Sequence, residues 1–378
     1  MRLHALSALL HAYVGLRLAP ALAAEAAWPA VLLLAVLAVS AVAIPGGLFA
    51  RRARGRRWGS ARTWAGLSFM GLFSSLLVLT LLRDALLLAG GLGAWLMPQA
   101  VPIDALSRTS GIAVPLTALG ITLLGFLNAR RTARVKSVDV PIAGLHDALH
   151  GFTIAQVSDV HVGPTIRRGY VEGVVRAVNR LDADLVAVTG DLVDGSVADL
   201  APHVAPLAQL ASRHGTFFVT GNHEYYSGAH AWIHELRRLD MRVLLNEHVV
   251  LRQGSATLVL AGVTDFSAHA FDPAHRSDPQ AALDGAPADA DVRVLLAHQP
   301  RSAAAAAQAG FQLQVSGHTH GGQFLPWTFF VRLQQPFTAG LHRLHDLWVY
   351  VSRGTGYWGP PKRFGAPSEI TRLRLVRA

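Results

Sequence analysis

Residues 152–163 read FTIAQVSDVHVG, an apolar run from Phe152 to Val157 that leads directly into Asp159 and His161. A short apolar run is typical of a buried β-strand, and a strand end is a rigid place for a ligand side chain. Four further segments repeat this arrangement along the chain: TGDLVD (189–194), TGNHEYYSG (220–228), LAHQP (296–300) and SGHTHGGQ (316–323). We therefore expect carboxylate, amide and imidazole side chains at the ends of five strands.

This set of side chains suits a centre of two metal ions. Two divalent cations about 3.5–4 Å apart, sharing a bridging group and a water, are a common arrangement for phosphoester hydrolysis. Asp191 is the natural bridging residue, because a carboxylate has two oxygens. Hard oxygen ligands mixed with imidazoles suit Mn, Fe, Zn or Co better than Ca or Mg. The chain has no cysteine, which excludes thiolate sites. A lone histidine in an apolar stretch is more often a packed core residue, but five such segments in order predict a two-metal phosphoester hydrolase.

The five segments resemble the calcineurin-like metallophosphoesterases, whose pattern runs D-x-H, GD, GNH[ED], a lone H and GHxH. The resemblance covers roughly residues 150–378. It implies that one metal is held by Asp159, His161, Asp191 and His320. It implies that the other metal is held by Asp191, Asn222, His298 and His318. His223 would not bind a metal but would face the scissile phosphate, where it stabilises charge or protonates the leaving oxygen. Asp194 either belongs to the site or caps a turn.

The sequence around the motifs resembles that of one branch of the family. SDVHVGPTI (158–166), GNHEYYSG (221–228), GHTHGGQFLPW (317–327) and the tail SRGTGYWGPPKRFGAPSEI (352–370) resemble membrane-linked bacterial metallophosphoesterases. That branch includes enzymes resembling UDP-2,3-diacylglucosamine pyrophosphatases, which act in lipid A synthesis. The resemblance implies a membrane-linked architecture and suggests a lipid-linked substrate.

The first third of the chain differs in composition from the rest. Residues 1–136 hold 14 of the 34 Lys and Arg residues but three of the 24 acids, so they account for the net charge of +10. The basic excess lies beside apolar runs, which favours membrane topology over nucleic-acid binding. The runs Trp28–Ala50, Trp64–Leu82 and Gly111–Leu127 are candidate spans, the last slightly short. Leu3–Ala23 either spans or lies at the interface.

Two short features complicate the second span. Ala85–Met97 is too short for a span of its own, so it either extends the second helix or rests in the interface. Arg83 and Asp84 mark either the end of that span or a polar intramembrane site.

The distribution of arginine predicts the orientation. Six arginines lie in the loop 51–63, and Arg130, Arg131, Arg134 and Lys136 follow the third run, whereas the loop 98–110 has only Arg108. Basic loops stay in the cytoplasm. We therefore expect a multi-pass protein of the cytoplasmic (inner) membrane with its catalytic domain in the cytoplasm.

We predict two domains, a helical transmembrane region at 1–136 with three to four spans and a catalytic domain at 137–378. Apolar strands such as Val138–Ile142 alternate with amphipathic helices such as Tyr170–Leu181 and His230–Leu239, which indicates an α/β fold. The family resemblance refines this to two packed mixed β-sheets flanked by helices.

Three segments allow two interpretations each. Phe324–Val331 is either a core strand or a contact for acyl chains and membrane. The basic residues Arg353, Lys362 and Arg363 either clamp a phosphate or lie in a solvated turn. Tyr225 and Tyr226 either wall the pocket or pack in the core.

The leading hypothesis is hydrolysis of a phosphodiester or pyrophosphate bond in a membrane lipid-linked substrate at the cytoplasmic face. One alternative is a phosphodiesterase for soluble or cyclic nucleotides. The other is a membrane transporter or scaffold with a regulatory metal domain. The sequence leaves the metals, the substrate and the oligomeric state open.

Overall fold

The computed structural model describes residues 2–50, 57–97 and 102–378. The chain divides into two compact units, a helical unit of residues 1–127 with 359–364, and a catalytic unit of residues 128–358 with 365–378. The short segment 359–364 thus packs with the helical unit, although it follows all the metal-ligand motifs in the sequence.

Four long helices begin the chain. They are α1 (Arg2–Ala23), α2 (Ala27–Ala50), α3 (Arg57–Leu96) and α4 (Ile103–Arg130). All four are long and apolar enough to cross a membrane. The weak candidate at the N-terminus is helical. Of the two interpretations of Ala85–Met97, extension of the second helix is confirmed, because α3 continues to Leu96. The arginines at 51, 52, 54 and 56, used to predict the orientation, lie outside the described residues.

Arg83 and Asp84 both have partners inside the helical unit. The carboxylate of Asp84 accepts hydrogen bonds from Arg17 Nε at 2.8 Å and from Tyr13 at 2.6 Å. Arg83 Nη2 donates to the carbonyl of Ser107 at 3.0 Å. These bonds join α1, α3 and α4, and they pair both charges within an apolar helical unit.

The basic segment near the C-terminus is buried in the helical unit. Lys362 and Arg363 are each 1% exposed. Lys362 Nζ donates to the carbonyl of Gly71 at 2.8 Å and to Ser75 Oγ at 2.5 Å, and the backbone N–H of Arg363 donates to the carbonyl of Gly125 at 2.9 Å. The interpretation of Lys362 and Arg363 as a solvated basic turn is therefore wrong.

The catalytic unit contains two six-stranded sheets, which confirms the predicted fold class. The first has the order β1-β12-β2-β3-β4-β5 and the second β10-β11-β9-β8-β7-β6. The strands of the first sheet are β1 (Arg134–Ile142), β2 (Thr153–Val157), β3 (Leu185–Thr189), β4 (Thr216–Val219), β5 (Met241–Val243) and β12 (Glu369–Arg377). Those of the second are β6 (Glu247–Gln253), β7 (Ala256–Gly262), β8 (Val292–Leu296), β9 (Leu313–Ser316), β10 (Gly340–Leu344) and β11 (Leu347–Val351).

Both sheets are mixed. In the first, β2, β3, β4 and β5 run parallel, while β12 pairs antiparallel with β2. In the second, β7, β8, β9 and β11 run parallel, and β6 and β10 form antiparallel edges. Strands that run parallel end at the same edge of a sheet, so residues that follow them in sequence are brought together there.

Apolar side chains from both sheets share one core. Ile154 and Leu185 of the first sheet pack in the same buried cluster as Leu258, Val294 and Leu313 of the second. Helices cover the outer faces: α5 (Arg168–Asn179), α6 (Val197–Val204), α7 (Asn222–Ser227) and α8 (Ala229–Arg238) lie along the first sheet, and α9 (Ala303–Gln308) along the second.

The apolar segment that follows the last motif is not a core strand, so that interpretation is wrong. Residues Trp327–Val331 form the short helix α10. Phe324 is buried, but Trp327, Phe329 and Phe330 are 46%, 66% and 52% exposed. Three large apolar side chains are thus left in contact with solvent on a single turn of helix.

Candidate metal centre

The predicted ligands all follow the carboxyl ends of parallel strands. Asp159 and His161 follow β2, Asp191 follows β3 and Asn222 follows β4, while His298 follows β8 and His318 and His320 follow β9. Five of them have a left-handed backbone with φ between 51° and 71°, namely Asp159, His161, Asp191, His318 and His320. Such conformations are uncommon for residues other than glycine and concentrate at functional sites.

One group of side chains consists of Asp159, His161 and His320. One ligand atom from each lies within 4.8 Å of the others. His161 Nε2 lies 2.9 Å from His320 Nε2, and His320 Nε2 lies 3.6 Å from Asp159 Oδ1. Two imidazole nitrogens that face each other at this distance can share a proton or bind one cation.

A second group consists of Asp191, His298 and His318. His298 Nε2 lies 3.2 Å from Asp191 Oδ2 and 3.2 Å from His318 Nδ1. The other ring nitrogen of His298 lies 2.8 Å from the carbonyl of Thr189, so Nδ1 donates a proton to that carbonyl while Nε2 faces the site.

Asp191 lies between the two groups. Its Oδ2 is 3.2 Å from His298 Nε2 on one side and 3.9 Å from His161 Nε2 on the other. A carboxylate with imidazoles from both groups around one oxygen fits the bridging position predicted for Asp191.

Asn222 supplies the clearest sign that a cation belongs here. Its side chain is buried, and its Oδ1 has no hydrogen-bond partner within the described structure. A buried amide oxygen without a partner costs about 1–3 kcal/mol, which coordination to a cation would offset. The surrounding donors, carboxylates and imidazoles, match the preference of Mn, Fe, Zn or Co.

His223 lies beside the two groups. Its Nε2 is 3.9 Å from Asp191 Oδ2, and its backbone N–H donates to Asp191 Oδ1 at 2.8 Å. Its side chain is 13% exposed, whereas the side chains of His161 and His298 are 1% and 0% exposed. His223 is therefore the histidine of these three that an arriving substrate can reach.

Asp194 is a residue of this site whose role the sequence left open. Its Oδ1 lies 3.2 Å from His161 Nδ1 and 2.5 Å from His223 Nδ1. A carboxylate at Nδ1 places the proton there and leaves Nε2 of His161 free to bind a metal. Asp194 thus orients a predicted ligand and the predicted catalytic histidine together.

Glu224 links the segment GNHE (221–224) to the segment GDL (190–192) by hydrogen bonds. Its buried carboxylate accepts hydrogen bonds from the backbone N–H groups of Asp191 at 2.9 Å, Leu192 at 2.8 Å and Gly221 at 2.6 Å. The approach is so close that a Cβ at Gly221 would lie 2.3 Å from Asp191 Oδ1. This packing explains why glycine precedes Asn222.

Burial and neighbouring charges shift the pKa values of the predicted ligands, and the direction of the shift differs from one ligand to the next. Burial disfavours the ionised form of Asp191, but His298 and His223 outweigh it and hold its pKa well below the usual range. For Asp159 burial dominates and, with the nearby Asp191, raises the pKa. Burial and His298 lower the pKa of His318 to about 3, so its imidazole is neutral and suited to metal binding.

The environment of His223 favours its charged form. Burial lowers the pKa of His223, but the carboxylate of Asp191 and the hydrogen bond with Asp194 outweigh it and raise the pKa to about 9. The imidazole therefore carries a proton on both nitrogens at neutral pH in this arrangement.

Aromatic rings line one side of His223. Its ring centroid is 5.1 Å from that of Tyr226 and 5.9 Å from that of Trp358, and Phe271 lies 5.5 Å from Tyr226. Tyr226, Phe271 and Trp358 are 61%, 54% and 49% exposed. Of the two interpretations for the tyrosines, pocket wall fits Tyr226 and packing fits Tyr225, which is 9% exposed.

Arg353, one of the three basic residues considered as a phosphate clamp, pairs with a carboxylate of β12. Its Nη1 lies 3.6 Å from the carboxylate of Glu369. The same carboxylate is 3.9 Å from Lys136 Nζ and accepts a hydrogen bond from Tyr350 at 2.7 Å. Arg353 is thus engaged in a polar cluster around the buried carboxylate of Glu369 on β12.

Known proteins are similar to this chain over much of its length. The sequence profile of the calcineurin-like phosphoesterases matches residues 152–322. A protein of Bos taurus, "Transmembrane protein with metallophosphoesterase domain", is 40% identical over 301 residues, which cover 75% of this chain and 67% of that protein. The Danio rerio protein of the same name is 37% identical, with coverage of 72% and 63%.

A bacterial protein is similar to this chain over a comparable length. An "Uncharacterized metallophosphoesterase" of Helicobacter pylori is 37% identical over 266 residues, which cover 69% of each chain. The chain spans about two thirds of the length of the curated relatives it matches, between 63% and 69% for these three.

Proposed function

The chain belongs to the calcineurin-like metallophosphoesterase family, and on that premise we propose that it hydrolyses a phosphodiester or pyrophosphate bond with two divalent cations. The observation that carries the proposal is the convergence of two ligand groups on Asp191, one with Asp159, His161 and His320 and the other with His298 and His318.

We assign the ligands as the family resemblance implies. Asp159, His161, Asp191 and His320 would hold one ion, and Asp191, Asn222, His298 and His318 the other. Mn, Fe, Zn and Co fit this donor set. When bound, the ions supply Lewis acidity, which withdraws charge from the phosphoryl oxygens and lowers the pKa of water at the site.

His223 acts on the leaving group. Its accessible imidazole carries a proton that Asp194 and Asp191 stabilise through the contacts at 2.5 Å and 3.9 Å. It donates this proton to the leaving oxygen as a water oxygen bonds to phosphorus and the P–O bond to the leaving group breaks. Asp194 keeps the ring oriented during the transfer, since it holds Nδ1 while Nε2 faces the site.

The proposed substrate is an ester anchored in a membrane. The half-exposed rings of Tyr226, Phe271 and Trp358 form an apolar wall beside His223, which suits an acyl or other apolar group. The exposed aromatic side chains of α10 follow His318 and His320 closely in the chain and offer a surface for lipid.

The connection between α4 and β1 supports the same proposal. Only residues 131–133 separate the two elements. If α4 spans a bilayer, this length keeps the catalytic unit near its surface, and an ester embedded in the membrane gains effective concentration. A soluble substrate gains nothing from such a tether.

We further propose that the catalytic unit faces the cytoplasm of the inner membrane. Arg130, Arg131, Arg134 and Lys136 lie at the end of α4 and the start of β1. Such a basic segment favours the cytoplasmic side and attracts anionic headgroups. Two relatives are named transmembrane proteins, which is consistent with a membrane location.

The experiment is a comparison of substrates with the purified full-length protein loaded with Mn²⁺. Diacyl-UDP-glucosamine in vesicles represents the lipid-linked class, bis-p-nitrophenyl phosphate a small diester and cyclic nucleotides the soluble alternative. We expect the highest kcat/KM for the lipid in vesicles. A clear preference for cyclic nucleotides over every lipid would reject the lipid assignment, and inactivity on all three with bound metal would reject hydrolysis.

A further inference from the structure

A separate cluster of metal-ligand side chains lies on the catalytic unit, away from the residues around Asp191. It consists of His230, Asp272 and His275, with one ligand atom from each within 4.8 Å of the others. His230 lies in the first turn of α8. In the loop between β7 and β8, Asp272 is the N-cap of a short 3-10 turn and His275 is its last residue. Positions i and i+3 lie on the same side of such a turn.

The three donor atoms lie at distances that suit one ion. His230 Nε2 is 3.0 Å from Asp272 Oδ2, and His275 Nε2 is 3.9 Å from the same oxygen. Ligands bound to zinc at about 2.0–2.2 Å in tetrahedral geometry are about 3.3 Å apart. Small side-chain rotations therefore bring the three atoms to coordination distance.

We propose that His230, Asp272 and His275 form a third cation site that binds Zn²⁺. Two imidazoles and one carboxylate are a donor set that zinc uses in proteins with a fourth position left to water. The exposure of His230, whose side chain is 75% accessible, leaves an entry path for the ion.

Neighbouring groups hold two of the three donors, His275 and Asp272, in place. The hydroxyl of Tyr225 lies 2.7 Å from His275 Nδ1, the ring nitrogen that does not face Asp272. It also lies 3.4 Å from Thr220 Oγ1, so it can accept from Nδ1–H and donate to the threonine. Asp272 Oδ1 accepts from the backbone N–H of Ala274 at 3.0 Å, which leaves Oδ2 for the ion. Contacts of this kind orient the ligands of known metal sites.

A simple surface ion pair does not account for the arrangement. A pair needs one histidine and one carboxylate, and an exposed pair contributes little to stability. Here two imidazoles face one carboxylate oxygen, and their ring centroids are 5.2 Å apart. Two protonated imidazoles would repel each other at this distance, whereas one cation among the three donors satisfies them all.

An ion at this position would fix the aromatic wall beside His223. Phe271 immediately precedes Asp272, and its ring lies 5.9 Å from that of Tyr225 and 5.5 Å from that of Tyr226. The site joins the loop that carries Phe271 to the start of α8. Zinc would therefore hold this loop against the helix.

The first test is the zinc content of the full-length protein after equilibration with Zn²⁺ and desalting, measured by mass spectrometry of the metal. His234→Ala is the matched control, since His234 is an exposed histidine on the same helix, outside the cluster. We expect His230→Ala and His275→Ala to bind one zinc ion fewer per chain than the wild type and His234→Ala. Equal zinc content in His230→Ala and His234→Ala would overturn the proposal.

The second test is limited proteolysis, which also decides the matter if His275→Ala does not fold. Arg276 is exposed and directly follows His275, so trypsin can cut after it. We expect Zn²⁺ to slow cleavage at Arg276 by about tenfold or more in the wild type and in His234→Ala, but not in His230→Ala. Both variants retain the two groups around Asp191, so equal protection in both would assign the effect to those groups and refute a third site.

Discussion

Replacement of Asp194 by asparagine tests whether one carboxylate supports both a metal ligand and the proton donor. Asp194 Oδ1 contacts His161 Nδ1 at 3.2 Å and His223 Nδ1 at 2.5 Å. Burial disfavours its charge, but the two histidines outweigh burial and lower the pKa of Asp194 far below its usual range, so it is ionised. Asparagine keeps the shape and an acceptor oxygen and removes only the charge.

The expected loss in kcat follows from the two hydrogen bonds that Asp194 makes with His161 and His223. A hydrogen bond to a charged group contributes about 1.5–3 kcal/mol and a neutral one about 0.5–1.5, so each bond loses about 1–1.5 kcal/mol. That is about 5–12-fold per bond, or about 25–150-fold in kcat for the two together. The range agrees with the effect of removing groups that orient metal ligands in other proteins, about 10–100-fold.

The assay is hydrolysis of bis-p-nitrophenyl phosphate at saturating Mn²⁺, with Asp199→Asn as the control. Asp199 is an exposed carboxylate on α6 that accepts a hydrogen bond from Ser196, so its replacement should leave the rate unchanged. In a His223→Ala background the effect of Asp194→Asn should shrink to the loss of one bond, about 5–12-fold. An unchanged rate in Asp194→Asn, or the full loss in the double variant, would refute the reasoning.

Three further predictions concern the proton donor, the lipid surface and the orientation. His223→Ala should slow turnover by about 10²–10⁴ with metals retained, and less for good leaving groups such as p-nitrophenolate; loss of bound metal would make His223 a ligand. Trp327→Ser with Phe329→Ser should lower the rate on lipid in vesicles but not on a soluble diester, whereas Val250→Ser, at an exposed position on β6, should change neither; an unchanged ratio of the two rates would contradict a lipid contact. A reporter that works only in the cytoplasm should be active when it is fused to the C-terminus. If instead only a reporter that needs export is active there, the predicted orientation is wrong.

The predictions from sequence that held rest on local patterns. Apolar runs of strand length placed β2, β3, β4, β8 and β9, and the carboxylates and histidines that follow β2, β3, β8 and β9 lie in the two groups around Asp191. Parallel strands end at a common edge, so knowledge of the strand ends was enough to expect convergence there. The spacing of four valines also predicted the helix α5, and these valines face the core.

What the sequence left open depends on partners distant in the chain. Asp194 has no local signal that separates a turn cap from a residue bridging His161 and His223, because its second partner lies 29 residues away. Lys362 was assigned to a solvated turn as one alternative, since its acceptors Gly71 and Ser75 lie nearly 300 positions earlier, at separations of 291 and 287 residues. Burial of a charge by remote groups is not encoded in its neighbours.

The exposed aromatic helix α10 and the third histidine cluster show the same limit. An apolar stretch from Phe324 to Val331 has the composition of a buried strand, and only the tertiary fold decides that Phe329 is exposed. His230 and His275 belong to different elements, and a 3-10 turn that the sequence did not predict brings Asp272 and His275 to one side.

The central claim is that Asp191 is shared by two metal ions that carry out phosphoester hydrolysis. The most direct measurement is the manganese content and the rate on bis-p-nitrophenyl phosphate, taken together on wild type and Asp191→Asn. Loss of the shared charge should weaken both metal positions at once, so we expect bound manganese to fall by about two ions per chain and hydrolysis to be abolished. A variant with wild-type manganese content and near-normal turnover would contradict the account.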